Sequence, residues 1–269
     1  MRSLVLSTAA VLLLTCATGA DAAISARLMR YMDVSSEHVA FVYGGDVWLV
    51  DRAGGEARQL TRSPGEESWP RFSPDGREIA FSASCGGNVD VYVMPLAGGL
   101  PVRVTHDSHA DRMVDWHPDG ERLLIASTRA SGTQRVSRFF LVDKAGGLPE
   151  PLSVPYGELA SFSPDGKRLA YVTRLTEDRP FKRYRGGFSS DIYIYGLTDD
   201  SVVKVTDSFA IAGRPSWVGD RLFFLSDDDS VAAAQLRLRR VRYVVSDAPE
   251  RVIGTSTALL GVPAPAQPL

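Results

Sequence analysis

The sequence predicts an all-β fold, an incomplete β-propeller of about four to five four-stranded blades, and a repeated turn carries most of that prediction. Ser73-Pro74-Asp75-Gly76 recurs as His117-Pro118-Asp119-Gly120 and as Ser163-Pro164-Asp165-Gly166. Each copy follows an aromatic residue and precedes a run of alternating, strand-like residues. Self-similarity at about 45 residues is typical of propeller blades, and no segment shows sustained helical periodicity.

The chemistry of the turn explains each of its residues. Proline presets φ at the second position, Asp accepts backbone N–H groups two residues further on, and Gly adopts the positive φ that closes the hairpin. The turn therefore predicts where the first strand of each blade ends and the second begins.

Two further elements complete each unit. A third strand is led by Asp in three units, at Asp46, Asp90 and Asp191, and by Arg138 in the remaining one. A Gly-Gly turn or a loop then leads to a short strand that ends in a hydroxyl residue: Thr61, Thr105, Ser153 or Thr206. The tryptophans Trp48, Trp69, Trp116 and Trp217 are interpreted as blade core.

Counting the units predicts a partial propeller over residues 24–229. The first unit is read as incomplete at its start. The last begins at Pro215-Ser216-Trp217, where Val218-Gly219-Asp220 replaces the Pro-Asp-Gly turn. About four and a half blades result, and an open ring exposes strand edges and a half-buried apolar face.

Composition excludes several classes of partner. The chain has 269 residues, a formal net charge of −2 and 44% hydrophobic residues, an ordinary globular profile. A basic excess would indicate nucleic-acid binding and a polybasic stretch would indicate an anionic membrane, and the sequence has neither. We expect no nucleic-acid partner and no cofactor.

Residues 1–23 have the pattern of a secretory signal peptide. Arg2 precedes an apolar run, and small residues surround Ala20-Asp21-Ala22 as at a cleavage site. Because the run is short for a membrane span, we expect a secreted or periplasmic protein with no span after cleavage. Cys85 is then the remaining cysteine, so packing rather than an internal disulfide stabilises the domain.

Several segments outside the generic turn resemble the N-terminal propeller of bacterial tricorn protease homologues. They are Gly65-Glu66-Glu67-Ser68 with Trp69-Pro70-Arg71-Phe72, Pro155-Tyr156-Gly157-Glu158, and above all Lys182-Arg183-Tyr184-Arg185-Gly186-Gly187. The resemblance runs from about Leu28 to Asp227. The repeat alone is shared with the periplasmic TolB protein, so the Tyr-Arg-Gly-Gly insert is the specific part.

The resemblance implies the first part of a large serine peptidase that trims peptides. In that family a six-bladed propeller precedes a seven-bladed one, a PDZ-like domain and the Ser–His machinery, and the propellers filter access to the chamber. This sequence contains no Gly-x-Ser-x-Gly nucleophile elbow. We therefore assign no catalytic residue to it.

One peptide-binding residue, Arg112, is implied by the resemblance. Family members place arginines in the loop after the second Val-Thr strand, where they hold the carboxylate end of a peptide. Here Asp111 stands where the founding archaeal protein has a second arginine. A guanidinium suits bidentate binding of a carboxylate. The alternative is an ion pair of Arg112 with Asp111 or Asp115.

The insert supplies a basic patch of Lys182, Arg183 and Arg185. This patch would contact either an acidic substrate or a neighbouring domain. The adjacent Gly186-Gly187 favours a close-packed turn and hence the contact between domains.

Two acidic segments are weaker candidates for metal sites. One is the predicted loop with His106, Asp107, His109 and Asp111, and the other is Asp227-Asp228-Asp229. Three consecutive carboxylates need further oxygens to bind calcium. We interpret both segments as solvated loops and expect no metal.

From Ser230 onward the repeat pattern is lost. Residues 230–269 are expected to be a non-homologous, disordered tail, although the stretch from Leu236 to Val241 alternates like a strand. One hypothesis is a frameshift near Asp228, and the alternative is a natural C-terminal extension.

Three functions remain open. The first is a truncated tricorn-like propeller that is inactive alone, acts as a peptide-access and protein-interaction scaffold, and associates with a separately encoded peptidase part. The second is a TolB-like propeller that binds proteins in the periplasm. The third is a non-functional frameshifted fragment.

Overall fold

Five antiparallel sheets follow one another along the chain in the computed structural model. The structure describes residues 28–132, 136–175, 189–206 and 212–226, together with the backbone of 237–242. Each sheet is one blade, and its strands are hydrogen-bonded in chain order. Within these residues four blades have four strands and the fifth has three, which confirms the predicted all-β, incomplete propeller.

The strands have the following bounds. Blade 1 contains β1 (Arg30–Val34), β2 (His38–Tyr43), β3 (Asp46–Asp51) and β4 (Arg58–Gln59). Blade 2 contains β5 (Glu67–Phe72), β6 (Glu78–Ala83), β7 (Asp90–Pro95) and β8 (Val102–Arg103). Blade 3 contains β9 (Asp111–Trp116), β10 (Arg122–Ser127), β11 (Arg138–Asp143) and β12 (Glu150–Pro151). Blade 4 contains β13 (Leu159–Phe162), β14 (Arg168–Val172), β15 (Ile192–Gly196) and β16 (Val202–Lys204). Blade 5 contains β17 (Ala212–Val218), β18 (Arg221–Ser226) and β19 (Arg237–Arg242).

The start of blade 1 corrects the sequence analysis. The first unit is not incomplete, because β1 pairs with β2 as the first strand of a full blade. Its turn lacks Pro-Asp-Gly, but Ser35 serves in its place. The Ser35 Oγ accepts the N–H of His38 at 2.9 Å, as the Ser73 Oγ accepts the N–H of Glu78 at 2.9 Å. Because this turn is shorter and lacks the motif, the sequence analysis did not recognise the strand before it.

The Pro-Asp-Gly turns have the predicted geometry. Gly76, Gly120 and Gly166 have φ of +70°, +73° and +68°, which L side chains rarely adopt. In the first of these turns the Asp75 carboxylate accepts the N–H of Arg77 at 3.1 Å. The hydrogen bond from the Ser73 hydroxyl holds the pKa of Asp75 below its usual value.

The aspartate that begins the third strand and the hydroxyl that ends the fourth strand belong to one hydrogen-bonded arrangement. The Thr105 Oγ1 accepts the N–H of Val91 at 3.0 Å and donates to Asp90 at 3.3 Å, and Arg103 binds the same carboxylate at 2.6 Å. Blades 1 and 4 repeat the threonine contact at Thr61 and Thr206. The fourth strand is too short to pair with the start of the third strand. The threonine hydroxyl therefore accepts the third-strand N–H that would otherwise lack a backbone partner.

The apolar core lies between the blades, where the faces of neighbouring sheets meet. Leu49 of blade 1 and Phe81 of blade 2 share one buried cluster. Phe139 of blade 3 packs edge-on against Tyr171 of blade 4, with ring centroids 6.3 Å apart. Blades 2, 3 and 4 therefore each depend on both of their neighbours to bury their two faces.

A polar contact joins the innermost strands at each described junction, and we call these contacts the inter-blade bonds. In three junctions a side chain accepts the backbone N–H of the next blade's aromatic residue: Asp33 from Phe72 at 2.8 Å, Asp115 from Phe162 at 2.9 Å, and Ser161 from Trp217 at 3.3 Å. Between blades 2 and 3 the Arg71 Nε donates to the Val114 carbonyl at 2.9 Å instead.

Among the described strands, the ring is open between blades 5 and 1. Extended strand contacts join β1 to β5, β5 to β9, β9 to β13 and β13 to β17. Within the described part of the chain, no contact of similar extent joins β17 to β1. Among these residues, none forms a helix that is long and apolar enough to cross a membrane.

Candidate functional site

The innermost strands of all five blades surround one central cavity of about 250 Å³. Its lining includes polar side chains from every blade: Asp33, Arg71, Asp115, Ser161, Arg214 and Ser216. Because innermost strands converge on the propeller axis, residues far apart in the sequence become neighbours there.

Backbone bulges aim side chains toward this axis. Tyr31, Trp69 and Arg214 have φ of +51°, +55° and +51°, and each lies at a break in the register between the first and second strands of its blade. A left-handed backbone costs about 1–2 kcal/mol for a residue other than glycine. Bulges of this kind re-aim side chains beside functional sites.

These bulges assemble an aromatic and guanidinium group that we call the Trp69 cluster: Tyr31, Trp69, Arg112, Glu158 and Arg214. The Tyr31 and Trp69 ring centroids are 4.4 Å apart. The guanidinium carbons of Arg112 and Arg214 lie 5.5 and 5.8 Å from the Trp69 ring centroid, within cation–π range. With Glu158, which directly precedes β13 of blade 4, all five blades thus contribute side chains to one place on the axis.

Arg112 lies on β9 rather than in the loop before it. Its Nη2 is 2.5 Å from both the Oε2 and the backbone carbonyl oxygen of Glu158. Neither predicted alternative partner is used, because Asp111 binds Arg129 at 2.5 Å and Asp115 forms an inter-blade bond. The guanidinium therefore does hold a carboxylate, one that belongs to the chain itself.

The Arg112–Glu158 pair is shielded from solvent. The two side chains are 18% and 21% exposed, so water screens their attraction less than it would at the surface. The buried Arg112 Nε has no hydrogen-bond partner in the described structure. The pair therefore retains an unused donor at the edge of the Trp69 cluster.

Asp115 lies on the same strand as Arg112, three residues further on, and lines the central cavity. Its carboxylate accepts the N–H of Phe162 and the N–H of Trp116, both at 2.9 Å. Burial raises the pKa of Asp115 to about 6. The N–H of Phe162 and the guanidinium of Arg71 oppose this rise, and the charge of Asp33 adds to it.

The scan of family models matches residues 26–236 to the tricorn protease N-terminal β-propeller domain. The chain belongs to this family. The resemblance stated from the sequence is thereby confirmed.

Named relatives agree with this membership. Tricorn protease homolog 1 of Streptomyces coelicolor is 31% identical over 208 residues, which are 76% of this chain and 19% of that protein. A Sulfurisphaera tokodaii protein named as a tricorn-like protease N-terminal subunit is 26% identical over 168 residues, 60% of this chain and 83% of that subunit. The chain thus spans about a fifth of the full-length Streptomyces relative.

Solved structures share the tricorn propeller fold. The tricorn protease crystal structure superposes with a TM-score of 0.69 at 25% identity, covering 80% of this chain and 21% of that one. A TolB from Agrobacterium tumefaciens gives a TM-score of 0.63 at 20% identity, covering 80% and 77%. The second likeness shows the fold alone.

Other predicted sites have mixed outcomes. Lys182, Arg183 and Arg185 lie outside the described residues, as do Asp227, Asp228 and Asp229. In the segment before β9, Asp107 binds His109 at 2.8 Å, while Asp111 is buried in the strand itself. No group of three or more metal-ligating side chains occurs in the part of the tricorn-type propeller that the structure describes.

The sequence analysis missed three members of the Trp69 cluster: Tyr31, Glu158 and Arg214. A signal for two of them existed in the repeat register. Tyr31, Trp69 and Arg214 each stand three residues before the position of the inter-blade aromatic, occupied by Val34, Phe72 and Trp217. Aligning the units at that position would have placed these bulged residues together.

Replacing Asp115 by Asn is expected to change how stability depends on pH. A raised pKa means that folding favours the protonated acid, so this contribution is complete below the unfolded value near 3.9 and is lost as pH rises through about 6. Between pH 5 and 7, the free energy of unfolding of the wild-type chain should therefore fall relative to that of Asp115→Asn. Urea denaturation at both pH values measures it.

Asp199→Asn is the matched control for this experiment. Hydrogen bonds from Ser201 hold the pKa of Asp199 below its usual value, so this exposed group stays ionised from pH 5 to 7. Its substitution should shift stability by the same amount at both values. A pH-independent difference for Asp115→Asn would contradict the assignment.

Proposed function

We propose that this chain is the access and docking propeller of a tricorn-type peptidase assembly, with no catalysis of its own. The observation that carries the proposal is the family membership across residues 26–236. The convergence of five blades on one polar cavity supports it, because an axial cavity is where a propeller can select what passes or binds. The catalytic groups would be supplied by another polypeptide.

The Trp69 cluster is the proposed contact for peptides. Arg112 would bind a peptide's terminal carboxylate, with the Trp69 and Tyr31 rings beside it as an apolar wall. Glu158 occupies the guanidinium in the structure, so an incoming carboxylate would have to displace it. This arrangement favours weak, exchangeable binding, which suits passage rather than retention.

The basic insert is proposed as a second contact. Lys182, Arg183 and Arg185 would bind a neighbouring domain or an acidic stretch of substrate. Arginine is the better fit to carboxylates because its fork donates two parallel hydrogen bonds. The named N-terminal subunit from Sulfurisphaera tokodaii supports the idea that a tricorn-like propeller works with a separately encoded peptidase part.

The proposed location is the periplasm or the exterior, reached through the signal-like residues 1–23. Fusion of these residues to alkaline phosphatase should export the reporter, and retention of the reporter in the cytoplasm would exclude this location.

A TolB-like protein-binding role is the second candidate, and one observation favours it. The Agrobacterium TolB superposes over 77% of its length, whereas the tricorn protease does so over 21% of its own. A propeller that binds proteins by itself would need no peptidase partner.

Co-expression with the polypeptide encoded directly downstream in the genome distinguishes the two roles. The tricorn account predicts that this polypeptide carries a second propeller and a peptidase domain, and that it co-purifies with this chain in a fixed ratio. The complex should cleave fluorogenic peptides, and the chain alone should not. Cleavage by the chain alone, or failure of such a polypeptide to bind, would contradict the account.

Glu158→Gln is expected to unmask peptide binding at Arg112. The substitution keeps the side-chain size but removes the competing charge, so a labelled hexapeptide with a free C-terminus should bind about tenfold more tightly. The same peptide with an amidated C-terminus should show no gain. Fluorescence anisotropy measures both affinities.

Glu121→Gln is the matched control for the peptide experiment, because Glu121 is an exposed partner of Lys144 away from the axis. It should leave both affinities unchanged. If Glu158→Gln raised the affinity equally for the free and the amidated peptide, Arg112 would not be binding the terminal carboxylate.

A further inference from the structure

The central cavity has an acidic side that the Trp69 cluster does not use. Asp33 on the innermost strand of blade 1 and Asp115 on that of blade 3 both line the cavity. The charge of Asp33 adds to the burial that raises the pKa of Asp115, so the two acids are close enough to influence each other. They therefore face one shared space.

Both carboxylates have acceptor capacity left after their backbone contacts. The Asp33 Oδ2 accepts the N–H of Phe72, whereas its Oδ1 accepts no hydrogen bond within the described residues. A carboxylate can accept about four hydrogen bonds. That of Asp115 accepts the N–H groups of Phe162 and Trp116. A donor that enters the cavity thus finds acceptors on both walls.

Arg71, which lines the same space, does not supply this donor. Its Nε donates to the Val114 carbonyl at 2.9 Å and its Nη1 to the Pro70 carbonyl at 3.2 Å. These bonds hold the Nη1 at 3.8 Å from the Asp33 Oδ1, which is beyond hydrogen-bond length. The two carboxylates therefore share a guanidinium that is anchored to the backbone, and this group of three carries an excess negative charge when both acids are ionised.

The acidic side adjoins the Trp69 cluster. Arg214 belongs to both, because it lines the cavity and its guanidinium carbon lies 5.8 Å from the Trp69 ring centroid. Arg112 and Asp115 are three residues apart on β9, which corresponds to about 10 Å at the usual rise of a strand. An extended peptide covers the same distance in about three residues. A peptide with its terminal carboxylate at Arg112 would therefore bring one of its last side chains to the acidic side.

We propose that Asp33 and Asp115 bind the cationic side chain of a lysine or arginine near the C-terminus of the peptide that Arg112 holds. The contact would consist of charge-assisted hydrogen bonds in a space partly shielded from water. A neutral side chain would cover the carboxylates without pairing with them, which is unfavourable. This inference rests on the proposed peptide site and adds a preferred residue type to it.

The probes are pairs of alanine-based hexapeptides with a fluorescent label on the N-terminus and a free C-terminus. One member of each pair has lysine at the last, second-last or third-last position, and the other has acetyl-lysine there. Acetylation removes the charge of the side chain. Because the label blocks the terminal amine, the lysine is the peptide's cation. Fluorescence anisotropy with the full chain at pH 7 measures each affinity.

At one of the three positions, the lysine peptide should bind at least about tenfold more tightly than its acetylated partner. Asp33→Asn should reduce the affinity for the lysine peptide to that for the acetylated one. The asparagine oxygen can still accept the N–H of Phe72, so the inter-blade bond is kept while the charge is lost. Asp199→Asn is the matched control and should retain the preference, because Asp199 is exposed between β15 and β16.

Equal affinities of the wild-type chain for both members of every pair would overturn the inference and leave the peptide site intact. Retention of the preference by Asp33→Asn would also overturn it. If neither peptide binds, the proposed function fails together with the inference. Thermal unfolding shows whether Asp33→Asn is folded.

Butylammonium tests the same contact in the wild-type chain, without a substitution. As a mimic of the lysine side chain, it should weaken binding of the lysine peptide and leave binding of the acetylated peptide unchanged. No competition, or binding of butylammonium alone as tightly as the lysine peptide, would overturn the inference, since the second result makes a free amine the ligand.

Discussion

The inter-blade bond is the interaction on which the rest of the structure depends. At three of the four described junctions a side chain near the axis accepts the backbone N–H of the next blade's aromatic residue, as Asp33 does from Phe72. Between blades 2 and 3, Arg71 donates to the Val114 carbonyl instead. Each bond fixes the position of one sheet against the next, and the apolar faces outside it can then interlock. Without this alignment the packing of Phe139 against Tyr171, for example, would lose its register.

The same constraint creates the candidate site. Because the bonds hold all five innermost strands against one axis, residues with a bulged backbone are brought together there, and Trp69 meets two guanidinium groups from different blades. At this place the Arg112 guanidinium binds the carboxylate of Glu158 across the junction between blades 3 and 4. Among the described strands, blades 5 and 1 do not make this contact with each other, so each has one face without a neighbouring sheet.

The fold was predictable because its signals are local. The Pro-Asp-Gly turn, the Asp that leads a strand and the hydroxyl that ends one act on backbone groups nearby, and Thr105 with Asp90 shows how directly each residue type is used. The first strand was missed because the turn after it has no Pro-Asp-Gly motif. There the Ser35 hydroxyl accepts the N–H of His38 instead. The site was harder to predict, because Arg112 and Glu158 are 46 residues apart and meet only across a blade junction. No local pattern encodes such a contact.

Native-state hydrogen exchange tests the central claim, that blades stabilise one another through shared faces and that the ring is open between blades 5 and 1. Amides of β10 in blade 3, which is covered on both sides, should exchange most slowly. Those of β2 in blade 1 and β18 in blade 5 should exchange at least about tenfold faster, because each belongs to a sheet with one uncovered face. Equal protection in β2, β10 and β18 would contradict the account.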